Sequence, residues 1–112
     1  MKPDDKIRIM HMVDAAEEAL SFVAESSQIE FSENRMLILS IIKEIEIIGE
    51  AASKISEGAK SEFSDIPWQD IVGMRNRLIH GYFDVDVTMV WNTIKNNLPS
   101  LIKSLKRTID EY

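Results

Sequence analysis

The stretch from Met36 to Ile48 limits the fold more than any other part of the chain. Nine of its thirteen residues are large and apolar, and they show no sustained strict alternation. The periodicity is helical, but nine such residues are too many for one stripe. A helix that is apolar around most of its circumference is buried on more than one side. In a chain of 112 residues, that demands a central helix wrapped by others or a helix that also meets another subunit.

The flanking segments read as helices as well. A first helix starts after Asp4 or Asp5 and runs to about Ala24, with Ile9, Met12, Val13, Ala16, Leu20 and Val23 on one stripe. Ser26-Ser27-Gln28 reads as a loop. The long second helix then runs from about Ser32, a candidate N-cap, to Ile55. Gly58 to Phe63 reads as a connection. Pro67 sits in the first turn of a third helix, which runs to His80 with Gly81 as its stop. Asp84 or Asp86 caps a fourth helix through about Asn97, Pro99 breaks or kinks the chain, and a last helix reaches about Ile109. The expected fold is all-α: an antiparallel bundle of four to five helices, one domain over residues 1–112.

Composition excludes several function classes. The longest stretch without a charge, Val87 to Ile94, has eight residues, whereas a membrane span needs about 20. Lys2, Asp4, Asp5, Lys6 and Arg8 interrupt any signal-peptide pattern, so a cytoplasmic protein is expected. Cysteine is absent, which removes disulfides and thiolate chemistry. With only His11 and His80 available, a zinc site is not expected, whereas composition leaves carboxylate-bound magnesium open. Glu44, Glu46 and Glu50 lack the Glu-x-x-His spacing of carboxylate-bridged metal bundles and read as a solvated face. His11 reads as a packed or half-exposed histidine, and Trp68 and Trp91 as packing anchors.

The charge is unevenly spread. Residues 1–70 carry 7 Lys/Arg against 15 Asp/Glu, whereas residues 71–112 carry 6 against 4. Ile71 to Phe83 holds Arg75, Asn76, Arg77, His80 and Tyr82 and no acidic residue. Such a group suits an anion, and a phosphodiester in particular. Arginine offers a planar fork to phosphate oxygens, histidine moves protons near neutrality, and asparagine can fix a ring's orientation. RNA brings its own nucleophile, the 2′-hydroxyl. The competing reading is a solvated helix end whose cations meet the helix dipole. Arg75 and His80 are five residues apart, about 140° around a helix, so the pair converges only if the helix ends at His80, as Gly81 allows, or the long Arg75 side chain wraps around. Glu50, after Gly49 in an otherwise apolar turn, is a candidate neighbour of this cluster.

The run Ile66-Pro67-Trp68-Gln69-Asp70-Ile71-Val72-Gly73-Met74-Arg75-Asn76-Arg77-Leu78-Ile79-His80-Gly81-Tyr82 closely resembles the signature of the HepT-like family, the HEPN-domain toxins of MNT/HepT toxin–antitoxin pairs. Ile47-Ile48-Gly49-Glu50-Ala51, Val85-Asp86, Val90-Trp91 and Leu98-Pro99 extend the resemblance over nearly the whole chain. It implies a HEPN-type bundle that forms a homodimer, with the Arg-x4-His motifs of both copies facing a shared cleft. It also implies a metal-independent endoribonuclease with no cofactor. Arg75 would bind the scissile phosphate, His80 would act as general base or acid, and Asn76 would orient His80 or the phosphate. The products would be 2′,3′-cyclic phosphate and 5′-hydroxyl ends. Tyr82 would be the acceptor that a nucleotidyltransferase antitoxin adenylylates, which blocks the site. The resemblance gives Arg77 no role; an RNA phosphate contact is the expectation from its charge. The alternative is a non-catalytic HEPN dimer that binds and positions a nucleotidyltransferase partner.

Overall fold

The computed structural model describes residues 1–80 and 85–111, the His80 side chain excepted. The described residues form α1 (Pro3–Val23), α2 (Gln28–Glu33), α3 (Arg35–Ser53), α4 (Glu57–Glu62), α5 (Trp68–His80), α6 (Val87–Asn92), a π-helical turn (Thr93–Asn97) and α7 (Leu98–Asp110). No strand occurs among them, so the fold is all-α, compatible with a HEPN helical bundle.

α3 is the centre. It packs along α1 on one side and along α5 on the other, while α7 lies against α1. Ile41, Ile42, Ile45, Ile48 and Ala52 of α3 are buried, as are Ile9, Met12, Ala16, Ala19 and Val23 of α1. The alanines let the two helices approach closely. Burial on two sides accounts for most of the apolar excess between Met36 and Ile48, but not all of it. Met36, Leu39 and Ile47 remain on the outer face, and Met36 is 82% exposed.

Local signals at several helix ends are stronger than the sequence suggested. Ser27, read as loop, opens α2 with a full capping box: its hydroxyl accepts from Glu30 N, and Glu30 Oε1 accepts from Ser27 N at 3.1 Å. α3 is capped by Asn34 rather than Ser32; Asn34 Oδ1 accepts from Leu37 N at 3.0 Å. The expected connection from Gly58 to Phe63 is largely the short helix α4, capped by Ser56. Asp86 caps α6 as anticipated.

Pro99 does not break the chain. It sits in the second position of α7, directly after the π-helical turn. The preceding turn widens to π geometry, which keeps the helix continuous past a ring that would otherwise press on the carbonyl one turn back.

Two carboxylates are buried. Asp5, 2% exposed, accepts from Ser56 N at 2.9 Å and from Ser56 Oγ at 2.6 Å. Burial pushes this carboxyl up, but the Ser56 bonds, aided by Lys2 and Arg8, outweigh it and hold it below 3.8. Glu44 differs from the solvated glutamate expected of it. α1 covers it to 4% exposure, and its Oε2 has no hydrogen-bond partner. Burial, then a hydrogen bond and charge repulsion from Glu18, push it up to about 7.

Because unfolded Glu44 ionises near 4.5 and folded Glu44 near 7, the unfolded state sheds its proton first. Stability contributed by neutral Glu44 is complete below about pH 4.5 and falls until about pH 7. Glu44→Gln should therefore stabilise the chain by roughly 1–3 kcal/mol at about pH 8 and by little at about pH 4.5. Urea unfolding at both values checks this. A pH-independent difference would show that Glu44 does not titrate in that window.

Candidate functional site

Helix α5 carries the Arg75–His80 motif, and its packing on α3 sets the site. Where the two helices cross, a Cβ added at Gly49 would overlap Arg75 Cβ and lie 2.7 Å from Arg75 Cγ. Only glycine lets the Arg75 stem lie flat against α3. The next residue, Glu50, accepts from Arg75 Nη1 at 2.9 Å and lies 3.7 Å from Lys54 Nζ. The Arg75 side chain is 18% exposed, and its Nε is buried with no hydrogen-bond partner among the described residues.

A half-exposed ion pair of this kind contributes about 0–1 kcal/mol, so its effect on stability is small. Its effect on position is large. A flexible side chain is held in one arrangement, with donors left over for an anion. The sequence hinted at Glu50 as a neighbour of the basic cluster; the structure makes it the carboxylate that holds Arg75.

The other motif residues are distributed around the helix. Asn76 and Arg77 are exposed. Arg77 points away from Glu50, and among the described residues its guanidinium meets only Met74 Sδ, at 4.0 Å. His80 is the last residue of α5; its side chain, and Gly81 and Tyr82, lie outside the described residues. Since α5 is helical through His80, positions 75 and 80 sit about 140° apart around its axis. One copy of α5 does not bring them onto one face.

Beside Glu50 an open groove of about 720 Å³ runs between α1 and α3, bordered by Arg8, His11, Lys54, Ile47 and Ile79. His11 is an exposed wall of this groove rather than a core residue. Trp68 and Trp91 are packing residues as read: Trp68 is buried and donates Nε1 to Phe63 O at 3.1 Å, and Trp91 tilts against Phe31 with centroids 5.3 Å apart. Among the described residues no group of three or more His, Cys, Asp or Glu is placed to hold a metal ion, and no helix is long and apolar enough to cross a membrane.

The profile of the family described as Ribonuclease HepT-like matches residues 12–108. The chain belongs to the HepT-like family. Its relatives include a Thermococcus cleftensis protein named "Probable ribonuclease HepT", 36% identical over 90% of this chain and 92% of the relative. A Methanocaldococcus jannaschii protein named as a candidate RNase is 32% identical over 94% of this chain and 96% of its own length. A third relative, from Caldanaerobacter subterraneus and also named as a candidate RNase, is 32% identical over 90% of each chain. No solved structure matches. The family's description and the names of these relatives are those of ribonucleases.

Within this HepT-like chain the glycines of α3 and α5 should behave oppositely. Gly73 has nothing within 4 Å of an added Cβ, so Gly73→Ala should gain about 0.5–1 kcal/mol from helix propensity. Gly49→Ala gains the same propensity but must push α5 off α3, and overpacking of this kind costs about 1–3 kcal/mol. Urea midpoints should therefore move in opposite directions. A stabilised Gly49→Ala would show that the helices do not touch at Arg75.

Proposed function

We propose that this HepT-like chain is a metal-independent endoribonuclease, the toxin of a toxin–antitoxin pair, working in the cytoplasm as a homodimer. The observation that carries the reading is Arg75 held by Glu50 and the Gly49 contact, five residues before His80 on a positively charged helix end.

The reaction is a transesterification. The RNA 2′-oxygen attacks the adjacent phosphorus, the bond from phosphorus to the 5′-oxygen breaks, and a 2′,3′-cyclic phosphate and a 5′-hydroxyl result. In this reading His80 of one copy takes the 2′-hydroxyl proton. His80 of the second copy, or water, returns a proton to the departing 5′-oxygen. Arg75 lies against the non-bridging oxygens, where the negative charge grows, and Asn76 orients His80 or the phosphate. A fixed donor is worth more than a mobile one, because it need not reorganise as charge develops. That is the service Glu50 performs for Arg75.

Pairing of two copies is supported by the outer face of α1 and α3. Ile7, Phe22, Met36, Leu39 and Ile47 are exposed there, and Ile79 continues this apolar strip along α5 to the residue before His80. Large apolar groups gathered on one face mark an interaction surface. A second copy seated on it would bring two motif helices together, which removes the demand that one helix present Arg75 and His80 side by side. Inhibition in this reading is adenylylation of Tyr82 by a nucleotidyltransferase antitoxin.

Mapping RNA ends after inducing the chain alone tests the reading. Wild type should produce new cyclic-phosphate and 5′-hydroxyl ends, and His80→Ala at equal protein level should lose them. Arg75→Ala should slow cleavage by about 10²–10³-fold. Identical RNA in wild-type and His80→Ala cells, with folded protein confirmed, would overturn the nuclease reading in favour of a HEPN module that positions a nucleotidyltransferase. Tyr82→Phe should still cleave RNA yet escape adenylylation, as read by mass spectrometry of the motif peptide.

A further inference from the structure

The side of α5 facing away from Glu50 closes a second cavity, of about 420 Å³, against the π-helical turn and the start of α7. Its volume falls in the range of about 300–1,000 Å³ that small-molecule sites occupy. Ile48, Ile71, Met74 and Leu101 supply an apolar floor, while Asp70, Arg77, Asn96 and Asn97 stand at its polar edge. It is reached through different α3 residues from those on the exposed apolar strip: Ile45 and Ile48 line it, whereas Met36, Leu39 and Ile47 do not.

Several observations point to a ligand. Asp70, Met74 and Arg77 are spaced as i, i+4 and i+7, so they share one stripe of α5, with the backbone positions of Asp70 and Arg77 about 10 Å apart along the axis. Arg77 has no acidic partner among the described residues, and no ion pair is formed by Asp70 there. The other carboxylate of the cavity, Asp65, is already engaged by Arg107 at 2.7 Å. Asn96 and Asn97, in the π-helical turn, are exposed and offer amide donors and acceptors. Position 77 is also one helical turn from His80, on a neighbouring part of the α5 surface.

We propose that this cavity binds one unpaired RNA nucleotide flanking the cleaved bond. Arg77 takes its phosphate, the apolar floor takes the face of its base, and Asp70 with Asn96 and Asn97 read the base edge. Single-stranded RNA is read in this manner, with splayed bases held on apolar or aromatic surface and hydrogen-bonded along their edges. A carboxylate accepts from an exocyclic amine, which uracil alone lacks, and an asparagine pairs with adenine, so the bases that carry an exocyclic amine are favoured over uracil. The proposal rests on the ribonuclease reading and adds to it a source of sequence preference outside the Arg75–His80 motif.

The test has a binding arm and a cleavage arm. In the first, wild-type protein is titrated with 5′-AMP, CMP and UMP and followed by amide NMR. Signals of Asn96, Asn97 and Met74 should shift, with UMP roughly tenfold weaker than AMP or CMP, and Arg77→Ala should weaken AMP binding by a similar factor. In the second, the RNA ends made by Asn96→Ala/Asn97→Ala are sequenced. Cleavage should weaken, and its preference at one flanking nucleotide should relax. Persisting cleavage with unchanged preference, or mononucleotide shifts confined to the groove beside Glu50, would overturn the proposal and leave the nuclease reading intact. Mononucleotide binding at the π-helical turn in a chain that cleaves no RNA would retire the nuclease reading and the RNA role of the cavity together.

Discussion

The contact between Gly49 and Arg75 is the constraint on which the rest of the site depends. It fixes how near α5 lies to α3, and therefore where every residue of the motif helix points. With no Cβ at position 49, the stem of a long cationic side chain serves as packing material. The guanidinium emerges at the edge of the interface, next to Glu50. Arginine commonly buries its stem while keeping its charged head near water. Here a carboxylate selects one of the many positions that head could adopt.

From that anchor α5 divides into two working sides. One side faces Glu50 and the groove along α1 and α3, where Ile79 joins the exposed apolar strip. The other faces the π-helical turn and carries Arg77. Two arginines two residues apart thus serve different neighbourhoods. The first is restrained by an ion pair and the second is open to solvent. A phosphate chain crossing the end of α5 would meet both.

The buried carboxylates show how burial can push similar groups in opposite directions. Asp5 is enclosed with two donors from Ser56 and keeps its charge at low pH. Glu44 is enclosed with another carboxylate and holds its proton to about neutrality. Asp5 ties the first turn of α1 to the cap of α4 and so contributes to the frame. Glu44 lies beneath the outer face of α1 and α3, beside the exposed Phe22, Met36 and Leu39, where it adds a stability cost at neutral pH rather than support.

The order of helices, the centrality of α3 and the candidate motif were legible in the sequence because each rests on local or periodic information. The apolar excess of Met36–Ile48 required burial on two sides, and an acid-free run holding two arginines and a histidine marked a candidate anion site. Other features depend on distances between segments that no spacing rule contains. Glu44 reads as a surface residue until α1 is laid across it, and Glu50 becomes the partner of Arg75 only when α3 and α5 touch at Gly49. Pro99 reads as a break or a kink until the turn before it widens. The sequence determined the helices and the residues available for chemistry, since propensity and capping act within a few positions. The tertiary structure decided which side chains are buried, paired or left facing open cavities, because those outcomes follow from how closely the helices pack.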